Sequence, residues 1–105
     1  MDEGIIVITT TETKEDAEKL ANEIIESKLG TCVQIGGPVS SIYRWHGKIA
    51  RATEYHLQIK TIKPKFKDID ELVRNIHPYE VPEVIAIPIV DGSMTYLNWL
   101  RDELK

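Results

Sequence analysis

An α+β sandwich, with one antiparallel sheet and helices placed in the order β-α-β-β-α-β, is the fold class that this sequence predicts. Three observations carry the prediction. Two stretches, 4–10 and 84–90, are dense in aliphatic and β-branched residues, the composition of strands whose faces are both covered. Two others, 13–25 and 66–76, repeat apolar residues at helical spacing. Between them, His46-Gly47 is a hairpin-turn pair that joins two further strand-like runs.

Taken in order, Gly4-Ile-Ile-Val-Ile-Thr-Thr10 is the first buried strand. Thr13-Lys-Glu-Asp16 resembles a capping box, in which a hydroxyl and a carboxylate three residues on satisfy free N–H groups. Ala17, Leu20, Ala21, Ile24 and Ile25 then trace a helix face, and Gly30 is the expected C-terminal stop. A second strand is expected from about Thr31 to Ile35, ending in a turn at Gly36-Gly37-Pro38. Val39 to Trp45 reads as another strand, returned by His46-Gly47 from Lys48 onward. On the return strand Glu54, His56, Gln58 and Lys60 take one face, and Tyr55, Leu57, Ile59 and Thr61 take the other.

Pro64 suits a first helical turn, and Phe66, Ile69, Leu72, Val73 and Ile76 mark the second helix. His77-Pro-Tyr-Glu-Val-Pro-Glu83 follows. Residues before proline are held out of helical conformation, so this segment is a stiff bend that ends the helix near Ile76. A strand from about Val84 to Val90, a turn at Asp91-Gly92 and a short helix carrying Tyr96, Leu97 and Leu100 complete the chain. The order is the ferredoxin-like βαββαβ pattern with an added C-terminal helix. No repeat or linker divides it, so residues 1–105 are read as one domain.

Composition excludes several classes. Net charge is -4 and the pI is near 5.3, without the basic excess that phosphate-backbone binding needs. The densest basic stretch, Lys60 to Lys67, runs straight into Asp68, Asp70 and Glu71; nucleic acid is not expected as a partner. The aliphatic runs fall far short of the ~20 residues that span a bilayer. The opening Met-Asp-Glu-Gly is acidic where a signal peptide would be basic. A single cysteine, Cys32, forms no internal disulfide. A cytoplasmic protein with no membrane contact is the expectation.

One excess stands out. Ile5 to Ile8 and Val84 to Val90 send large aliphatics to both sheet faces, but two helices cover only one. Leaving four or five such side chains exposed forfeits on the order of 6–15 kcal/mol, comparable to the stability of a whole domain. The C-terminal helix can hide only part of that face, so self-association is expected.

Local metal motifs are missing: no C-x-x-C, H-x-x-x-H or H-E-x-x-H occurs. Glu54 and His56 share a strand face and could present two ligands to one ion, or form polar surface on an exposed edge. Cys32 reads most simply as a small buried apolar residue. No nucleophile lies in a catalytic sequence context, and Gly36-Gly37-Pro38 precedes a strand rather than the helix a phosphate cradle needs. No enzyme activity is expected. A second reading is that the two prolines fix His77, Tyr79 and Glu80 as a small site.

Five segments in this order resemble the CutA family of divalent-cation tolerance proteins. They are Cys32-Val33; Ser41-Ile-Tyr-Arg-Trp-His-Gly-Lys-Ile49; Glu54 with Lys60-Thr61; His77 to Glu83; and Tyr96-Leu-Asn-Trp99. The resemblance implies a homotrimer of ferredoxin-like subunits, a role in metal-ion response, copper(II) or another divalent cation as ligand, and no required cofactor. It implies that Cys32, Glu54, Lys60, His77, Tyr79 and Glu83 gather near an inter-subunit cleft. On the metal reading, His77, helped by Cys32 or Glu80 of the same or a neighbouring subunit, holds the ion; on an anion or partner reading, Lys60, Arg44 and Tyr79 of the cleft are the recognition groups. Thr9 and Ile76 stand where some copper-binding members have ligands, and Gln34 replaces the usual asparagine. A signalling or scaffold trimer that binds a small anion or a partner protein is the alternative.

Overall fold

The computed structural model describes residues 1–76 and 79–105. Its elements are β1 (Gly4–Thr11), α1 (Lys14–Glu26), β2 (Cys32–Trp45), β3 (Lys48–Ile62), α2 (Phe66–Ile76), β4 (Val84–Pro88) and α3 (Met94–Asp102). The strands form one antiparallel sheet in the order β2-β3-β1-β4. This is the expected α+β, ferredoxin-like arrangement with its added helix.

Local chemistry sets the helix ends. Thr13 Oγ1 accepts the Asp16 N–H at 3.1 Å and opens α1, with Glu15 and Asp16 at the positive end of the helix dipole. Its C-terminus differs from expectation. Lys28, at φ 58°, takes the left-handed position. The Lys28 N–H reaches Ile25 O at 3.2 Å and the Leu29 N–H reaches Ile24 O at 3.0 Å, the paired bonds of a Schellman cap. Gly30 serves packing instead: a Cβ there would sit 2.8 Å from Ile59 Cγ2 and 2.9 Å from Ile24 Cγ2.

The expected turn at Gly36-Gly37-Pro38 is a bulge within one continuous strand. Pairing shifts between Gly36, opposite His56, and Val39, opposite Glu54. The extra residue keeps Val39, Ser41, Tyr43 and Trp45 on the same face as Glu54. Glycine is required at position 37, where φ is 148° and a Cβ would lie 2.8 Å from the Tyr55 ring. The true turn is at His46-Gly47, both at positive φ, as the hairpin signal predicts.

The two sheet faces have different fates. Ile5, Val7, Leu57 and Ile59 form the main core with Ala17, Leu20 and Ile24 of α1 and Ile69 and Val73 of α2. On the second face, α3 covers one end: Leu100 and Leu104 pack on Ile62, beside Ile89. Thr31 Oγ1 donates to Leu100 O at 2.6 Å, and Lys60 Nζ sits 5.7 Å from the centroid of the Tyr96 ring. Beyond α3 the face is open. Ile85 and Ile87 are 48% and 45% exposed, and each forgoes roughly 1 kcal/mol of burial.

β1 pairs with β3 only as far as Tyr55. Residues 40–53 therefore run on as a two-stranded arm rooted at the Val39–Glu54 pair, and the molecule measures 44 Å along its longest axis. Ile42 and Ile49 on the arm are 62% and 68% exposed.

Candidate functional site

Where the base of the arm meets the segment after α2, a cavity of about 370 Å³ opens on the second sheet face. The sheet supplies Thr10 and Glu54, the arm supplies Ser41, Tyr43 and Trp45, and the bend supplies Tyr79, Glu80, Val81 and Glu83. Strand alternation puts them together. Ser41, Tyr43 and Trp45 fall at every second position of β2, in register with the face that carries Glu54.

Glu54 is the anchor. Glu54 stands one residue beyond the last β1–β3 pair, yet it is only 9% exposed, so it is not polar surface on an exposed edge. Thr10 Oγ1 donates to Glu54 Oε2 at 3.0 Å. The Tyr79 hydroxyl donates to the same carboxylate. Burial, and then the negative charges of Glu54 and Glu12, push the Tyr79 phenol up to about 12, so it stays a neutral donor at physiological pH. At the arm's tip the His46 ring meets Trp45 edge-on, with centroids 4.7 Å apart.

The residues expected at a cleft or metal site divide into groups. Glu54, Tyr79, Glu80 and Glu83 line this one cavity. Lys60 lies six residues along β3, about 20 Å away, opposite Cys32. Arg44 pairs with Ile49 on the reverse face of the arm and does not line the cavity. Cys32 is half-buried on the second face rather than inside the core, because strand alternation gives the core positions to Val33 and Ile35. His77 lies outside the described residues. Among the described residues no three His, Cys, Asp or Glu side chains gather as a metal site. The described residues of one chain therefore do not fit a divalent ion by themselves.

Thr10, Ser41, Tyr43 and Trp45 were not among the expected site residues. The alternation of Tyr43 and Trp45 was visible, but the bulge that aligns them with Glu54 was hidden by the turn expected at Gly36-Gly37-Pro38.

The family described as CutA1 divalent ion tolerance protein matches residues 5–103. The chain belongs to this family. A divalent-cation tolerance protein CutA from Thermus thermophilus is 39% identical over 97 residues, covering 92% of this chain and 94% of that protein. The chloroplastic protein CutA of Arabidopsis thaliana is 42% identical over 97% of this chain, which spans only 56% of that longer protein. Among solved structures, CutA1 from Oryza sativa superposes with a TM-score of 0.94 at 39% identity, covering 99% of this chain and 95% of that one. The periplasmic divalent cation tolerance protein CutA from Archaeoglobus fulgidus superposes with a TM-score of 0.93 at 34% identity, covering 97% of this chain and 99% of that one. Relatives thus carry names from different compartments. In this chain no described helix is long and apolar enough to cross a membrane.

Proposed function

We propose that this chain is a non-catalytic divalent-cation tolerance protein that works in the cytoplasm as a homotrimer, takes copper(II) or a similar divalent ion, and requires no cofactor. The observation that carries the assembly is the second sheet face, where Ile85 and Ile87 stay about half exposed after α3 has docked. Neighbouring copies supply the cover that one short helix cannot. The relative from Thermus thermophilus, named for divalent-cation tolerance, supports the role. The family's description names tolerance rather than a reaction, which supports a non-catalytic protein.

The same reading makes the metal site a property of the assembly. Glu80 borders the cavity, while Cys32 lies beside Lys60 further along the sheet. A site drawing on His77, Glu80 and Cys32 is completed when a second copy brings its own Cys32 to the bend. The alternative, a small-anion cleft built on Lys60 and Arg44, has less support. Neither residue lines the cavity, and the charged groups among its described lining are carboxylates.

Calorimetric titration of copper(II) into chelator-treated protein, comparing wild type with His77→Ala, tests the ligand assignment. Sub-micromolar binding that is lost in the variant and weakens as pH falls is expected, because imidazole ligands compete with protons. Binding indifferent to the substitution would remove His77 from the site.

A further inference from the structure

The loop between β4 and α3 carries a reactive pair that the fold does not require. Asp91 is the only aspartate in the sequence that is followed by glycine. Both residues are exposed and lie in irregular backbone between Pro88, the end of β4, and Ser93, the cap of α3. The Gly92 N–H donates to Asp91 Oδ1 at 2.8 Å. Because Oδ1 is bonded to Cγ, the nitrogen lies within about 4 Å of that carbon, near the ~3–3.5 Å of a near-attack arrangement. Glycine has no Cβ to shield the nitrogen or restrict the backbone around it. Asp16, Asp68, Asp70 and Asp102 stand instead in helices, and each is followed by a residue that carries a side chain.

We propose that Asp91–Gly92 is a site of spontaneous covalent modification, at which Asp91 isomerises to a β-linked, isoaspartyl residue. The Gly92 nitrogen attacks Cγ of the Asp91 carboxylic acid, and a new C–N bond closes a five-membered ring. The acid's hydroxyl leaves with the amide proton as water. Water then adds to the former main-chain carbonyl of Asp91 and breaks its bond to nitrogen. The chain now runs through Cγ, the α-carboxylate is free, and the atoms and the charge are those of the starting protein. One methylene has entered the backbone. The added length falls in a loop held at both ends: the Ile89 N–H is bound to Gly4 O at 2.9 Å, and Ser93 Oγ accepts the Tyr96 N–H at 3.3 Å. Gly92 also lies close to Leu97, since a Cβ on it would sit 3.3 Å from Leu97 Cδ2. Isomerisation thus bears on the docking of α3, the helix that covers one end of the second face. The partner that fits the freed α-carboxylate is a carboxyl methyltransferase that recognises isoaspartyl residues.

The test incubates the full-length protein, in its native assembly, for several weeks at physiological temperature and mildly acidic to neutral pH. Isoaspartyl residues are measured with a recombinant isoaspartyl methyltransferase and labelled S-adenosylmethionine, whose sulfonium methyl passes to the freed carboxylate and leaves a thioether. Fragmentation mass spectrometry locates them in the chain. Label that rises with time and maps to residue 91 is expected. Asp91→Glu, a change at an exposed position, would need a six-membered ring and should lower the label at least about tenfold. Label that stays at the level of fresh protein, that maps to the helical aspartates, or that survives Asp91→Glu would overturn the proposal.

Discussion

Replacing Glu54 with glutamine removes one negative charge and almost no volume from the centre of the site. Two hydrogen bonds are affected: one from Thr10 Oγ1 at 3.0 Å and one from the Tyr79 hydroxyl. A hydrogen bond to a charged group contributes about 1.5–3 kcal/mol and a neutral one about 0.5–1.5 kcal/mol. The change therefore costs roughly 1 kcal/mol per bond. Glu54 is also only 9% exposed, and relieving the desolvation of its charge offsets part of that loss. A net destabilisation of about 1–2 kcal/mol is the expectation, measured by urea unfolding at one fixed protein concentration because the proposed association makes apparent stability concentration-dependent. A second readout is specific to the geometry. The Tyr79 phenol is pushed up to about 12 first by burial and next by the charge of Glu54. In Glu54→Gln its ultraviolet titration should move down but remain above the usual 10.0, because burial persists. An unchanged Tyr79 titration would refute the contact, and a more stable variant would show that desolvation outweighs both bonds.

Tyr79→Phe should cost about 1–2 kcal/mol near neutral pH by deleting the donor. Because the folded phenol is raised above its unfolded value, its contribution is full below pH 10 and is lost as pH climbs toward 12. The stability gap between wild type and variant should close across that window, and a gap constant with pH would contradict the assignment. Leu100→Ala empties a fully buried position between α3 and Ile62; a loss of about 2–5 kcal/mol is expected in denaturant unfolding, and a near-neutral result would mean that α3 is not docked there. Gly30→Ala should destabilise by about 1–3 kcal/mol, since its methyl would meet Ile59 and Ile24 at under 3 Å; a gain in stability would show that the site has room.

Most of the fold was legible because its signals are local. The alternation of Glu54, His56, Gln58 and Lys60 against Tyr55, Leu57, Ile59 and Thr61 matches the pairing of β3 with β1. His46-Gly47 matches the only turn geometry that two positive φ angles allow there. What failed was the reading of glycine as punctuation. Gly30 does not cap α1, because Lys28 accepts the left-handed conformation when two backbone bonds hold it. Gly36-Gly37-Pro38 does not break β2, because a one-residue bulge absorbs it while both flanks stay paired to β3.

The site was less legible for a related reason. Tyr79, Glu80 and Glu83 stand within five residues and meet Glu54 as one group, but Lys60 and Arg44 are close to Glu54 in sequence or strand without sharing its cavity. Which residues of a long hairpin face a given pocket depends on register, and here register depends on the bulge. Cys32 and Glu80 belong to one ligand set only if copies of the chain meet, and no single-chain pattern encodes that.

In the proposed assembly, copies of this chain bury the open face of the sheet. Sedimentation equilibrium at micromolar concentration tests it most directly, with Ile87→Asp as the companion variant. A wild-type mass of three times the 12.0 kDa chain, falling toward a single chain when a charge is placed on that face, is the predicted result. A wild-type mass of 12.0 kDa would contradict it, because the half-exposed isoleucines would then need no partner.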